Sequence, residues 1–188
     1  EIISNINKTI ATSLDIRESF SDICGELKKI IPFDRACLIT SNEQGQWFQV
    51  FALTKNHNFS EINEGECFPI SGSLLEEIIK TGEPVIVNNT QTGRFWTDRV
   101  LYKERIHARL GFPLTYKGKV LGALTFGSEK ANSFSEQCYY YLWQLAPQLA
   151  IALENTKLFN RIKASEERYK TLFNHAADSM VMIDLNGK

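Results

Sequence analysis

The chain has 188 residues, a formal net charge of −1 and a hydrophobic fraction of 43%, which suffices for one globular domain with a real core. Acids and bases are interspersed, which argues against the basic surface of a nucleic-acid-binding protein, and no apolar run reaches the roughly 18 residues of a membrane span. The four cysteines form no C-x-x-C pair and have no metal-ligand spacing, so we expect a cytoplasmic segment, although the parent protein could be membrane-anchored elsewhere.

The first third of the chain predicts two helices followed by a β-hairpin. Isoleucines at helical spacing indicate an amphipathic helix that ends near Leu14. Asp15 can cap a second helix, and Pro32 would stop it. Residues 35–40 and 47–53 predict two strands, because an Asn-Glu-Gln-Gly turn separates them.

The middle of the chain predicts short elements separated by polar turns. Residues 67–70 indicate a short strand, and Ser-Leu-Leu-Glu at 73–76 is a capping box that opens a helix. A brief buried strand at 85–87 precedes a loop at 88–95 that is rich in Asn, Thr and Gly. A helix from about 97 to 105 follows this loop.

The clearest predicted element is a second hairpin. Residues 108–115 pair with residues 119–126 across a Tyr-Lys-Gly turn, and Ser135 then caps a long helix that continues past Ile162. This order predicts an α+β fold, with one antiparallel sheet of five to six strands and the N- and C-terminal helices on one of its faces.

Several segments of the chain resemble GAF domains. They are the Pro-Leu…Gly-Lys-Val-Leu-Gly hairpin at 110–124, Phe-Ser-Glu at 134–136, Leu-Ala-Ile-Ala-Leu-Glu-Asn at 149–155, Ser-Leu-Asp-Ile-Arg at 13–17 and Pro-Phe-Asp-Arg at 32–35. The resemblance extends over about residues 1–160 and implies a GAF-like sensory domain with a long C-terminal signalling helix.

The last residues resemble the beginning of a PAS domain. Glu-Glu-Arg-Tyr-Lys-Thr-Leu-Phe-Asn-His-Ala-Ala-Asp predicts a helix, and Met-Val-Met-Ile-Asp-Leu-Asn-Gly predicts a strand with a turn. We therefore assign 161–188 to a linker helix that continues into a truncated PAS-like domain. GAF–PAS pairs are typical of bacterial sensor histidine kinases, so the resemblance implies a two-component system with a PAS and an output domain in the same chain.

The resemblance also implies a ligand pocket between the middle elements and the sheet face opposite the terminal helices. Its expected walls are Phe68, Ile70, Ser73, Leu74, Phe95, Trp96, Tyr102, Arg109, Phe112 and Thr125. Strand alternation leaves open whether Arg109 points inward, where it would need a carboxylate or an anionic ligand, or outward into solvent. The alternative is a pocket that is filled by its own side chains.

The sequence does not identify a cofactor. Bilin-binding relatives attach the pigment to a Cys on the helix before the hairpin, and residues 98–105 contain none, so covalent bilin is not favoured. Haem, which would need an axial His such as His107, is not favoured either. Cys67 could act as a redox nucleophile, as in relatives that reduce methionine sulfoxide, but no resolving cysteine is evident. We find no catalytic triad or nucleotide-binding loop, and we expect no metal site and no enzyme activity in this segment.

The long helix carries two apolar stripes. Leu142, Leu145, Leu149 and Leu153 should face the sheet of their own domain, and Pro147 should bend the helix. The second stripe, with alternating spacings of four and three, is a heptad seam that includes Ile151, Asn155, Leu158 and Ile162. It predicts a parallel homodimeric coiled coil, unless the stripe lies on its own monomer instead.

The expected function is that of a cytoplasmic sensory input domain. It would bind a small molecule between the sheet and the middle loops and relay its state through a dimeric helix to the PAS and output domains. The alternative is a dimerisation and spacer module without a ligand.

Overall fold

Two helices open the chain in the computed structural model, which describes residues 1–13, 15–54 and 62–178. Helix α1 spans Ile2–Thr12, and α2 spans Ile16–Leu27. Asp15 caps α2 as predicted, because its carboxylate accepts a hydrogen bond of 2.9 Å from the backbone N–H of Arg17. Both helices bury their apolar side, which includes Ile6 and Ile23.

The six strands form one antiparallel sheet, which confirms the predicted α+β fold. They are β1 (Arg35–Ser41), β2 (Trp47–Leu53), β3 (Cys67–Pro69), β4 (Val85–Val87), β5 (Ala108–Tyr116) and β6 (Lys119–Ser128). Their order across the sheet is β3-β2-β1-β6-β5-β4. The β5–β6 hairpin turns at Lys117 and Gly118, whose φ angles of 48° and 77° are those of a two-residue type I′ turn.

Two short helices lie in the middle of the chain. Ser73 caps α3 (Leu74–Thr81) by accepting a hydrogen bond from the N–H of Glu76. Within the segment predicted as a loop, Thr90–Thr92 forms a 3₁₀ turn. Helix α4 spans Trp96–Lys103, one to two residues earlier at each end than the sequence indicates.

The last helix, α5, runs from Gln137 to Asp178 without interruption. The four leucines of its first stripe are buried, as predicted: Leu142, Leu145, Leu149 and Leu153. Pro147 lies on the exposed side of the helix, which continues through it. The strand and turn expected at 179–188 lie outside the described residues, whose helices include none that is long and apolar enough to cross a membrane.

The alternation of side chains along the strands divides the core into two layers. On β1, Ala36 and Leu38 join the cluster formed with α1, α2 and α5, whereas Cys37 and Ile39 join the cluster formed with α3. Gly111 brings α3 close to the sheet, because a Cβ atom there would lie 2.2 Å from Cδ2 of Leu74. The layer beneath α3 and α4 is the face on which the sequence predicts a pocket.

Candidate functional site

A cavity of about 60 Å³ lies between the sheet and α4, and we call it the central cavity. It is lined by Arg35, Cys37, Ile39, Phe48, Val50, Ile62, Thr97, Leu101, Arg109, Thr125, Phe126 and Gly127. The wall is mostly apolar, with two guanidinium groups and two threonines as its polar members. This composition is typical of a ligand pocket with a few anchoring groups.

The register of the sheet brings the two arginines to the cavity. Gly127 on β6 pairs with Arg35 on β1 and with Arg109 on β5, so the three residues form one row across the sheet. Directly paired residues project to the same side of a sheet, and adjacent strands are about 4.8 Å apart. Both guanidinium side chains therefore start from the cavity face about 10 Å apart, with a glycine between them.

Arg109 is buried and points inward, which settles the orientation that strand alternation leaves open. Its Nη1 donates to Oγ1 of Thr97 at 2.6 Å and to Oδ1 of Asp98 at 2.9 Å. Its Nε is buried and has no hydrogen-bond partner among the described residues. Burial lowers the pKa of Arg109 from its ordinary value, Asp98 opposes this shift, and the positive charge of Arg35 adds to it.

The carboxylate that faces Arg109 is shared with the backbone. Asp98 is fully buried in the first turn of α4, and its Oδ2 accepts a hydrogen bond of 2.9 Å from the N–H of Phe95. The positive end of the α4 dipole lies at the same place. The negative charge of Asp98 is thus stabilised by α4 as well as by Arg109.

A second buried ion pair holds the other end of α4. Arg35 donates from Nη1 to Oε2 of Glu104, which follows the last residue of α4, and both side chains are buried. Nη2 of Arg35 also donates to the carbonyl of Ile62 at 3.1 Å. Two ion pairs therefore fasten α4 to β1 and β5, with the central cavity between them.

An aromatic cluster borders the cavity. The rings of Phe48, Phe68 and Trp96 lie in mutual contact, with centroids 5.6 to 6.4 Å apart. Phe48 belongs to the cavity wall, whereas Phe68 and Trp96 do not line the cavity and pack against Phe48. The indole Nε1 of Trp96 is buried and has no hydrogen-bond partner among the described residues.

The structure brings most of the predicted pocket residues to the cavity face. Arg109 and Thr125 line the central cavity itself. Five further predicted residues belong to the apolar cluster on this face: Phe68, Ile70, Leu74, Phe95 and Trp96. Ser73 is buried beside them and is engaged in capping α3.

Phe112 and Tyr102 do not line the central cavity. Phe112 lies on the opposite face, where its ring meets those of Trp143 and Tyr139 on α5 at 4.8 Å and 6.0 Å. It is three residues from Arg109, and an odd separation along a strand places two side chains on opposite faces. Tyr102 is 37% exposed and packs edge-on against His107, and neither residue lines the cavity.

Four polar residues of the site were missed by sequence reasoning: Arg35, Thr97, Asp98 and Glu104. Arg35 precedes a run of apolar strand residues, and a charged residue in such a place is a usable signal. Asp98 lies on a short polar helix and Glu104 directly follows it, and acidic residues in such places are ordinarily exposed. No local pattern distinguishes them from a solvated helix face.

The cysteines differ strongly in their surroundings. Cys37 lines the central cavity, and burial raises the pKa of its thiol to about 11. Cys24 is buried against the terminal helices, and burial raises its pKa to about 12. Cys67 is exposed. Among the described ranges, no group of three or more His, Cys, Asp and Glu side chains could hold a metal ion.

The second stripe of α5 is exposed on the isolated chain. Ile151, Leu158 and Ile162 expose 42%, 45% and 60% of their surface, and Asn155 between them is exposed as well. Tyr169, Leu172 and Phe173 continue the exposed apolar surface toward the end of the helix. The stripe does not pack on its own monomer, which was the alternative to an intermolecular seam.

Residues 13–154, well over half of the chain, match the family model described as the GAF domain. Among curated proteins, the formate hydrogenlyase transcriptional activator of Salmonella typhimurium is 22% identical over 174 residues, which are 89% of this chain and 25% of that protein. The chain therefore spans about a quarter of the length of this relative.

Two solved structures have the same fold. The GAF domain from an Acinetobacter phosphoenolpyruvate-protein phosphotransferase superposes with a TM-score of 0.69 at 20% identity, over 85% of this chain and 95% of that one. The GAF domain of a two-component sensor histidine kinase from Bacillus halodurans gives a TM-score of 0.68 at 20% identity, over 79% of this chain and 99% of that one.

Proposed function

This chain belongs to the GAF domain family, and we propose that it is the cytoplasmic sensory input segment of a longer signalling protein. GAF domains are sensory and regulatory signalling domains. In this proposal the central cavity binds a small molecule, and α5 carries the resulting change to a downstream PAS-like domain and an output domain. Regulation, and not catalysis, is the role of the segment itself.

The observation that carries the ligand-binding role is the buried Nε–H of Arg109. A buried donor without an acceptor costs about 1–3 kcal/mol, and native structures ordinarily satisfy such groups. This donor belongs to a residue of the cavity wall. A bound molecule with an acceptor atom would remove the cost, which favours sensing over the alternative of a ligand-free spacer.

Strand β5 offers a short path from the cavity to α5. Arg109 projects from one face of β5 into the cavity, and Phe112 projects from the other face against Trp143 and Tyr139. A ligand that shifts β5 would therefore move the packing of α5. Because α5 is one helix as far as Asp178, a change at its start can reach the downstream domain.

The exposed stripe supports a parallel homodimer. With Asn155 and Ile162 at a positions and Ile151 and Leu158 at d positions, Arg161 falls at a g position. Glu166 then falls at the e position of the following heptad, and a parallel pair brings such g and e′ residues together. Both side chains are exposed on the isolated chain and carry opposite charges.

The relatives support a place upstream of an output domain. One is a transcriptional activator, and another is a domain of a sensor histidine kinase. We infer a parent of the histidine kinase type from the PAS-like tail. A cysteine-based redox sensor or a reductase of methionine sulfoxide is a weaker candidate, since exposed Cys67 and buried Cys37 have different surroundings.

Native mass spectrometry tests the ligand-binding role. Protein purified without denaturation from several bacterial hosts should retain the same small molecule at one copy per chain. A matched variant with a blocked cavity, Val50→Phe, should lose it, whereas Gln49→Phe on the exposed face of β2 should keep it. Protein that carries no molecule from any host, and gains none on incubation with cell extract, supports the spacer module instead.

A further inference from the structure

The wall of the central cavity contains a hydrogen-bond donor without an acceptor. Two guanidinium groups lie in this wall, and Arg35 pairs with Glu104 while Arg109 pairs with Asp98. Asp98 divides its two oxygens between Arg109 and the N–H of Phe95, so only one of them serves the guanidinium. Nε of Arg109 stays without an acceptor among the described residues.

The electrostatic surroundings of Arg109 also favour an additional acceptor. Its pKa is lowered by burial and by the charge of Arg35, so the attraction of Asp98 does not fully offset the cost of a buried cation. Asp98 itself lies at the positive end of α4, so its negative charge interacts with the helix dipole as well as with Arg109. An additional acceptor with negative charge would stabilise the guanidinium.

The size of the cavity limits what this acceptor can be. One bound water needs about 10–15 Å³ of cavity volume on the same measure, and the cavity measures about 60 Å³. By this comparison the cavity has room for roughly four water-sized atoms. Nucleotides and bilins are too large for the cavity in this conformation.

We propose that the central cavity binds a small planar oxyanion with a single negative charge, which accepts hydrogen bonds from Arg109. The class comprises the smallest carboxylates, formate and acetate, and also nitrate, whose oxygens likewise surround a planar trigonal centre. A trigonal oxyanion matches the planar donor fork of a guanidinium, and such charge-assisted bonds are about twice as strong as neutral ones. This inference rests on the proposed function, whose ligand it assigns to a chemical class.

Thermal unfolding of the whole chain in the presence of matched ligands tests the proposal. The probes are sodium formate, acetate and nitrate, with formamide and acetamide as neutral molecules of the same size. Sodium gluconate, whose anion is too large for the cavity, keeps the ionic strength constant. At least one anion should raise Tm by about 5–10 °C at a hundred times its Kd, with saturation, and the amides should not.

Two variants assign the effect to Arg109. The single change R109Q leaves Asp98 buried without its cation and strongly destabilises the fold, so D98N/R109Q is the variant to use. This double change replaces both charges by neutral groups of similar size and should weaken anion binding at least tenfold. The control R94Q removes an exposed arginine that pairs with Glu77, and it should keep the shift.

The outcomes separate the ligand class from the sensory role. Equal stabilisation by the amides, or an undiminished anion shift in D98N/R109Q, overturns the anion assignment. A neutral molecule retained in native mass spectrometry, together with no response to any anion, overturns the assignment while the sensory role stands. No response to any anion and no retained molecule overturns both.

Discussion

Arg35 and Arg109 pair with the same residue, Gly127, from the two sides of β6. Each of the two arginines lines the central cavity and forms a buried ion pair with one end of α4. Since α4 is held at both ends by charges from the sheet, anything bound between them acts on the helix and on two strands at once. The row has no room for a side chain at this glycine, because a Cβ atom there would lie 2.8 Å from Cγ2 of Ile106.

The buried pair at the end of α4 should matter far more than an exposed pair of the same chemistry. Replacement of Glu104 by Gln breaks its buried ion pair with Arg35, and we expect a loss of about 3–5 kcal/mol in the free energy of unfolding. The matched change Glu77→Gln removes an exposed partner of Arg94 and should cost less than about 1 kcal/mol. Urea unfolding of both variants measures the difference, and equal losses would show that α4 is not anchored in this way.

Gly111 should be intolerant of a side chain. An added Cβ would approach Leu74 Cδ2 to 2.2 Å and Ile78 Cδ1 to 2.8 Å, so Gly111→Ala must displace α3. We expect a loss of about 1–3 kcal/mol from overpacking. Gly25 in α2 has nothing within 4 Å of its Cβ position, and Gly25→Ala should stabilise the chain by about 0.5–1 kcal/mol. Guanidinium unfolding checks both signs, and a neutral Gly111→Ala would contradict the packing of α3 on β5.

The orientation of the helix pair can be tested with charges. In a parallel dimer, R161E places like charges opposite Glu166 of the second copy, and E166R does the same opposite Arg161. Each single change should raise the dimer Kd by about two- to fivefold, and the double exchange R161E/E166R should restore it. Sedimentation equilibrium measures these constants, with E43Q as the control for the ion pair that Arg161 makes within its own chain. A double exchange that is no better than the single changes argues against parallel pairing.

Asn155 should limit the stability of the same seam. A buried Asn at an a position lowers coiled-coil stability in return for register and oligomer specificity, so Asn155→Ile should tighten association by tenfold or more. The half-buried Asn160, outside the a and d positions, provides the control N160I, which should leave the Kd within about twofold. A strict monomer at high concentration for both wild type and N155I would contradict the dimer.

The buried thiols of Cys37 and Cys24 should resist deprotonation. Burial raises the pKa of Cys37 to about 11 and that of Cys24 to about 12. A raised pKa in the folded state favours the protonated form, so these thiols contribute stability below their ordinary pKa of 9.0 that is lost as the pH rises through 11 to 12. At pH 8 exposed Cys67 should react rapidly with a disulfide reagent while Cys37 and Cys24 stay protected. Rapid reaction of Cys37 at pH 8 would show that the cavity is open to the reagent.

The coupling between cavity and helix should depend on Phe112. Phe112→Leu leaves the cavity wall unchanged but removes the aromatic contact with Trp143. We expect the Kd of a cavity ligand to stay within about threefold, while the ligand-induced change in hydrogen exchange along α5 disappears. The control is Val50→Ala, whose side chain belongs to the cavity wall and whose loss should change the Kd. Preserved exchange differences in F112L would place the relay elsewhere.

Sequence patterns predicted the parts of the fold that depend on neighbours in the chain. The caps Asp15 and Ser73, the β5–β6 hairpin and the buried leucines of α5 all follow from residues within a few positions of one another. The ion pair of Arg35 with Glu104 joins residues 69 positions apart, and only the packing of α4 against the sheet brings them together. Strand alternation alone could have placed Phe112 correctly. Phe112 is three residues from Arg109, and this odd separation puts the two side chains on opposite faces of the sheet.

The direct test of the central claim is a crystal structure of the chain grown in the anion that gives the largest saturable rise in Tm. The account predicts compact trigonal density in the central cavity, with an oxygen within about 2.7–3.2 Å of Nε of Arg109. The same density should be absent from crystals grown in gluconate. A cavity that holds only water in both crystals, or a filled cavity with Nε of Arg109 still unpaired, would contradict it.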